Sequence, residues 1–320
     1  MLLSDYFYTD TTLQWKLAKQ LGVNHGVIRL PENPEFDITN RAHMKEVADK
    51  FKALGIQPLV VEPMPNSVHD HIKRADDKRD ESIEKVLKMI PLLAENGYRD
   101  ICTNFMAEIG WCRTSSTIQE RGGALVTGFD VKDLKVDPSL HITEEELWAN
   151  LEYFLKAVIP TCEQYGVRIA LHPDDPPLRK MGGVSRILVS KENFQRAIDL
   201  VPSDCLGITM CQANFVTMGE DIYDCIRHFG NQKKIFLVHF RDVVGNVECF
   251  HETFHATGQT DMVKALQCYK EVGFDGSIRI DHVPTMAGEG NGRPGYETMG
   301  RRYAVGYLRG IAEAIGYPLR

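Results

Sequence analysis

The chain reads as an α/β protein, a (β/α)8 barrel of eight parallel strands, each followed by a helix. Three observations predict it. Short β-branched runs alternate with amphipathic stretches eight times over. Dividing the 320 residues by eight leaves 40 per unit, room for a strand, a helix and two loops. Runs such as VRIAL (167–171) and IFLV (235–238) are apolar on both faces, as parallel strands covered by helices must be. An open doubly wound sheet is the alternative, but no GxGxxG follows the first strand to support a dinucleotide-binding version.

In chain order, the expected strands are Leu2–Tyr8, His25–Leu30, Gln57–Glu62, Asp100–Phe105, Val167–His172, Cys205–Cys211, Lys234–Phe240 and Ser277–His282. The expected helices are Thr12–Leu21, Asn40–Leu54, Asp80–Asn96, Thr143–Tyr165, Lys191–Leu200, Asp221–His228, Met262–Glu271 and Tyr296–Ala314. Thr143 with Glu146 three residues on forms a capping box at the start of the fourth helix. Gly55, Gly97, Gly166 and Gly273 fall just past helix ends, where a left-handed residue closes the last turn. Residues 1–320 are expected to form one domain. The rhythm breaks only at 106–142, between the fourth strand and its helix. A loop that long serves either as a lid over the active face or as a hairpin for subunit contact.

Composition bounds the function. With 43% hydrophobic and 25% charged residues, the chain is neither collagen-like nor disordered. Its 37 Lys and Arg against 44 Asp and Glu give a net charge of −7 and no basic run, against a nucleic-acid partner. No segment approaches the ~18 apolar residues of a membrane span. The opening MLLSDYFYTDTTLQWK lacks a basic n-region, so a secretory signal is not expected. The eight cysteines contain no CxxC and read as cytoplasmic thiols or isolated ligands. The expected partner is a small molecule, and a homo-oligomer is expected.

The chemistry gathers at strand ends. Catalytic groups of such a barrel come from the C-terminal ends of its strands. The last four strands end in His172, Cys211, His239 and Asp281, each a ligand type delivered to one rim. Two imidazoles, a thiol and a carboxylate suit Zn, Fe(II), Mn or Co. Ligands spread over four strands leave open positions for substrate, unlike the closely spaced pairs of a structural zinc site. A competing motif, His251-Glu252-Thr253-Phe254-His255, matches HExxH, but it lies in a loop between Gly245 and Gly258 where a stable helix is not expected. It is assigned to the pocket wall. In the turn His172–Pro177, Asp174 and Asp175 are candidates to orient a metal-bound His. Arg113 and Arg241 are candidates to receive a carboxylate in bidentate fashion. Beyond Asp281 come His282 and a Gly- and Pro-rich rim loop leading to Tyr296.

These same stretches resemble the mannonate dehydratase family of the xylose-isomerase-like barrels. The resemblance rests on NFMAEIGWCRT (104–114), ALHPDDPP (170–177), GITMC (207–211), VHFRD (238–242), FHETFHATGQTDM (250–262), RIDH (279–282) and PGYETMGRRYAVGYLRGIAEA (294–314). It departs at the second strand, which reads VIRLPENPEF and lacks the family's His-containing loop, at Val283-Pro284 and at Gly110. The resemblance implies Mn²⁺ or Fe²⁺ held by His172, Cys211, His239 and Asp281. It implies dehydration of D-mannonate to 2-keto-3-deoxy-D-gluconate, with His282 and Tyr296 transferring protons. Asn104, Arg113, Arg241, His251 and Glu252 are the expected substrate contacts.

A sugar isomerase, an epimerase or a 3-keto-glycoside lyase would use the same metal and base, because each begins by abstracting a proton beside a polarised carbonyl or carboxylate. A catalytically silent metal-binding homologue is the alternative from another class. The net acidity weighs against a nuclease on a related barrel.

Overall fold

Residues 1–10 and 12–320 are described in the computed structural model. Eight parallel strands close a barrel: β1 (Leu2–Phe7), β2 (His25–Ile28), β3 (Gln57–Val61), β4 (Asp100–Thr103), β5 (Arg168–Leu171), β6 (Leu206–Cys211), β7 (Ile235–Phe240) and β8 (Ser277–Ile280). Each pairs with its neighbour in sequence, and β8 returns to β1 with Leu2 opposite Ser277. All eight expected strands are present. Several are shorter at the C-terminal end than the apolar run suggested: β5 stops before His172 and β8 before Asp281. There the chain leaves the ladder to enter the rim loops.

The helices form the outer layer: α1 (Leu13–Gln20), α2 (Arg41–Ala53), α3 (Asn66–Arg74), α4 (Arg79–Asn96), α5 (Glu144–Tyr165), α6 (Lys191–Asp199), α7 (Gln212–Thr217), α8 (Ile222–Asn231), α9 (Met262–Glu271) and α10 (Thr298–Ala314). The expected α1, α2, α4, α5, α6, α8, α9 and α10 all form. The sequence reading missed α3 and α7. In α3 the inward face carries His69 and Lys73 beside Val68 and Ile72, so polar letters conceal an amphipathic helix. In α7 nearly every residue is buried, which erases the periodicity.

The main core lies between barrel and helices, where Phe51, Met89, Leu151, Ile169, Phe215 and Leu266 are fully enclosed. A second, smaller cluster fills the barrel interior with Tyr6, Val27, Leu59, Val60, Cys102 and Leu237. The interior is therefore plugged by side chains beneath the catalytic rim. At Gly207 of β6 an added Cβ would sit 2.4 Å from the Lys234 carbonyl oxygen, so only glycine lets the chain pass β7 there.

The 106–142 segment is built rather than loose. It carries a hairpin of strands Ser115–Gln119 and Leu125–Asp130. The second of these pairs antiparallel with Cys249–Glu252 from the loop after β7. A bridge from Leu125 to Thr285 ties the hairpin to the loop after β8 as well. The hairpin thus braces two rim loops of the catalytic face. No helix of the described residues is long and apolar enough to cross a membrane.

The capping box is formed as expected: the Thr143 hydroxyl accepts from the Glu146 amide, and Glu146 accepts from the Thr143 amide. Thr143→Ala should therefore destabilise the fold by about 1 kcal/mol. A lower urea midpoint at unchanged slope would show it, and an unchanged midpoint would contradict it.

Candidate metal centre and active site

Three of the four expected ligands come together. His172 follows β5, Cys211 closes β6, and His239 lies one residue before the end of β7. Cys211 and His239 are register partners on adjacent strands. One donor atom from each of the three lies within 4.8 Å of the others. Asp281, just past β8, meets this group from the side, with Oδ2 3.7 Å from His239 Nδ1.

The histidine tautomers show why the group suits a cation. His172 Nδ1 lies 2.7 Å from the Pro173 carbonyl oxygen, an acceptor only, so this nitrogen carries the proton and donates. His239 Nε2 faces a carboxylate oxygen of Glu62 at 3.2 Å, so it too donates. With both imidazoles in the neutral form that a metal ligand takes, the nitrogens left over, His172 Nε2 and His239 Nδ1, both present lone pairs, and they face each other at 3.1 Å. Two acceptors at that separation repel unless positive charge lies between them. Burial also lowers the His172 pKa, favouring the neutral imidazole that a metal needs. The residues therefore fit a divalent ion. The oxygen partners that fix each ring are what such a ligand requires to keep its orientation.

A second group, Glu62, Cys102 and His239, has similar spacing. There a guanidinium already supplies the positive charge. Arg279 donates to both Glu62 oxygens, at 2.6 and 3.1 Å. Burial raises the Glu62 pKa, but the Arg279 guanidinium, with the hydrogen bond from His239, brings it far below the usual carboxylate range. Asp281 is balanced in the same way: burial opposes its charge, while His282 and Arg279 hold its carboxyl well below the ordinary value.

A cavity of about 240 Å³ opens over the ligand group. His172, His239, Asp281, His282 and Tyr296 reach its wall, as does Asn104 just past β4. The Tyr296 hydroxyl donates to Asp281 Oδ1 at 3.2 Å. Burial, with that carboxylate beside it, pushes the Tyr296 pKa well up. The ring stacks obliquely on Tyr6 and meets His282 edge-on at 5.2 Å. Trp111, brought in by the 106–142 segment, packs edge-on against the other side of His282 at 5.5 Å. The two expected proton-transfer groups are thus neighbours held between aromatic rings.

The other expected substrate contacts sit differently. Arg113, Arg241 and Glu252 lie behind the cavity wall, with side chains no more than 3% exposed. Arg113 pairs with Asp175 and donates to Glu252 at 2.7 Å. Arg241 donates to Asp175 at 2.9 Å, to Glu252 and to Asn214, and its Nε lies 3.2 Å from Cys211 Sγ. Two guanidiniums and two carboxylates alternate in a closed, buried square. Neither arginine has a free fork for a substrate carboxylate, because each is already held by protein carboxylates. Burial raises the Glu252 pKa, but Arg241 and His282 bring it down to about 2. Burial likewise opposes the Asp175 charge, and Arg113 and Arg241 lower that carboxyl strongly. His282 Nδ1 lies 2.9 Å from Glu252 and 2.8 Å from Arg241, so the square also anchors the imidazole.

The HETFH match does not form a zinc site. His251 and Glu252 are on a β-strand, where successive side chains point to opposite faces. His251 faces outward, 3.8 Å from Glu120, and does not line the cavity. His255 is buried and bonds the Phe240 carbonyl at 2.7 Å, its pKa lowered by burial to about 4. Nor do Asp174 and Asp175 orient His172. Asp174 accepts the Ile187 and Leu188 amides and pins the following loop, while Asp175 binds the arginines. Pro173 and Glu62 hold the histidines instead. Sequence reasoning passed over Glu62, Arg279 and Arg29, all in the cavity wall. The signal was available for two of them: Glu62 and Arg29 lie at the ends of the third and second expected strands. Strand ends of the first half of the barrel face the same rim as those of the second.

Comparison with known proteins agrees with this geometry. The family model described as D-mannonate dehydratase (UxuA) matches residues 2–140 and 134–318. A mannonate dehydratase of Streptococcus agalactiae is 32% identical, with 88% of each chain covered. Mannonate dehydratase 2 of Halalkalibacterium halodurans is 34% identical, covering 82% of this chain and 83% of its own. The crystal structure of the mannonate dehydratase from Streptococcus suis superposes with a TM-score of 0.91 at 29% identity, over 100% of this chain and 97% of that one. A D-psicose 3-epimerase structure, at 11% identity and a TM-score of 0.64, shares the fold. With the family model spanning nearly the whole chain and relatives above 30% identity, this chain belongs to the mannonate dehydratase family.

Proposed function

We propose that the protein is a metal-dependent hydro-lyase that converts D-mannonate to 2-keto-3-deoxy-D-gluconate and water. Family membership supports the reaction class. The observation that carries the chemistry is the pair of histidine lone pairs facing each other at 3.1 Å on the floor of a cavity that also presents Tyr296 and His282. His172, Cys211, His239 and Asp281 would hold the ion; their mixed donors suit Zn, Fe(II), Mn or Co, and the resemblance to the family favours Mn²⁺ or Fe²⁺. When bound, a divalent ion supplies Lewis-acid charge to the carboxylate end of the substrate.

The chain's own residues then do the following. A proton beside a carboxylate is weakly acidic, and hydroxide is a poor leaving group, so both ends of the elimination need help. One group takes the C2 proton, and another protonates the C3 hydroxyl as its bond to carbon breaks. Water leaves, and the resulting enol becomes the 2-keto acid. We assign these roles to Tyr296 and His282, both on the cavity wall, and the 5.2 Å between their ring centres supports their acting on neighbouring atoms of one substrate. Arg113, Arg241, Asp175 and Glu252 set the position of His282 from behind. The cavity is sized for one sugar acid, and the net charge of −7 favours such a small substrate over a nucleic acid. The unpaired cysteines support a cytoplasmic location.

Incubating Mn²⁺-loaded protein with a panel of aldonic and uronic acids tests the reading. Formation of a 2-keto-3-deoxy acid from D-mannonate is expected. A product that keeps the substrate's formula would make the protein an isomerase or epimerase.

Purified protein should carry about one divalent ion per chain, and Cys211→Ala or Asp281→Ala should remove most of it. Elemental analysis showing full occupancy in both variants would refute the ligand set. Glu252→Gln should behave differently. It leaves Arg113, Arg241 and His282 short of one buried negative charge, a loss of about 3 kcal/mol or more. The melting temperature should fall while the folded protein keeps its metal. Tyr296→Phe should keep metal and fold but lose about a hundredfold or more in kcat. Turnover near the wild-type rate would remove Tyr296 from proton transfer.

A further inference from the structure

The cavity wall contains two arginines, and they differ in what they face. Arg279 is enclosed and held by Glu62 and Asp281. Arg29 stands just past β2, with its side chain 35% exposed. On the closed barrel β2 lies four strands from β6 in either direction, across the mouth from Cys211, and two from β8, which leads to Asp281. A substrate whose acid end meets the ligand group therefore extends its other end toward Arg29.

The guanidinium is oriented before any ligand arrives. Its Nη2 is 2.9 Å from Glu32 Oε1, the Tyr6 hydroxyl lies against it, and the Tyr8 ring faces it with Cζ 6.0 Å from the centroid. Glu32 is itself fixed, because its other oxygen accepts the Asn66 amide at the start of α3 at 3.0 Å. Arg29 thus offers directed N–H donors, while the Glu32 carboxylate cancels its net charge. Such a neutralised pair hydrogen-bonds hydroxyl oxygens well. It gains little from a second carboxylate, which would meet Glu32 as well as Arg29.

We propose that Arg29, held by Glu32, is a specificity-determining residue that reads the far end of the sugar acid. In this reading it accepts a neutral, hydroxylated C5–C6 end and disfavours a six-carbon diacid. The inference rests on the proposed function for the direction in which the substrate lies.

The test is calorimetric binding to Mn²⁺-loaded protein, with kcat and KM measured alongside. The ligands are D-mannonate, a four-carbon aldonate of the same C2 and C3 configuration, and the corresponding hexarate. Arg29→Ala should weaken D-mannonate about tenfold or more, the loss of hydrogen bonds from a charged donor. Its KM should rise with little change in kcat, and the four-carbon acid should bind within about twofold of wild type. Arg29→Lys should recover part of the loss. Glu32→Gln should improve hexarate binding relative to D-mannonate by about tenfold, since it exposes the Arg29 charge. Unchanged D-mannonate binding in Arg29→Ala would overturn the proposal, as would an equal loss for the four-carbon acid. Wild-type protein that binds aldonates without dehydrating them would refute the proposed reaction, and the chain-length comparison would still decide the role of Arg29. Wild-type protein that binds no aldonate would refute both.

Discussion

The buried Arg241 guanidinium is the interaction on which the catalytic face depends. It lies one strand residue past Phe240 and reaches groups from four separate segments: Asp175 after β5, Cys211 and Asn214 at the start of α7, Glu252 in the paired rim strand, and His282 after β8. No single pair explains the arrangement. A lone guanidinium in this dry interior would cost several kcal/mol, and so would either carboxylate. Together with Arg113, Asp175 and Glu252 the charges cancel, and the loops they come from are fixed relative to one another. Removing one member leaves the others uncompensated, so the network enforces the geometry of the rim more than it adds stability.

The same economy governs the ligand group. Glu62 and Arg279 form a pair in the cavity wall, and Glu62 turns His239 so that Nδ1 points at His172. The Pro173 carbonyl does the same for His172. Both rings are therefore held in the orientation that leaves two lone pairs converging, an unfavourable contact in the bare protein and a favourable one around a cation. Holding both rings this way preorganises the group for a cation.

The long segment after β4 gains its purpose from pairing. As sequence it is polar and glycine-bearing, and it reads as a lid or a contact loop. Its second strand hydrogen-bonds Cys249–Glu252, which carries Glu252 into the charge network and leaves His251 on the outer face. The HExxH letters acquire a different meaning once they are split between a strand and a turn. Helical spacing would have placed both histidines on one side, whereas strand spacing separates His251 from Glu252 and leaves His255 to the core.

What the sequence determined by itself was the barrel and the placement of its ligand types. The strand and helix periods are local properties of ten to twenty residues, and a strand end in a parallel barrel faces one rim whatever the loops do. His172, Cys211, His239 and Asp281 were therefore legible at strand ends, and His282 and Tyr296 through the family's motifs. Tertiary structure alone decided how the remaining charges are used. Arg113 and Arg241 look like substrate-binding arginines until their carboxylate partners are found 11 to 139 residues away in the chain. Glu62 and Arg279, separated by 217 residues, become a pair only when the barrel closes. Long-range pairing leaves no periodic trace in the sequence, because Coulomb attraction depends on distance in space and not on separation along the chain.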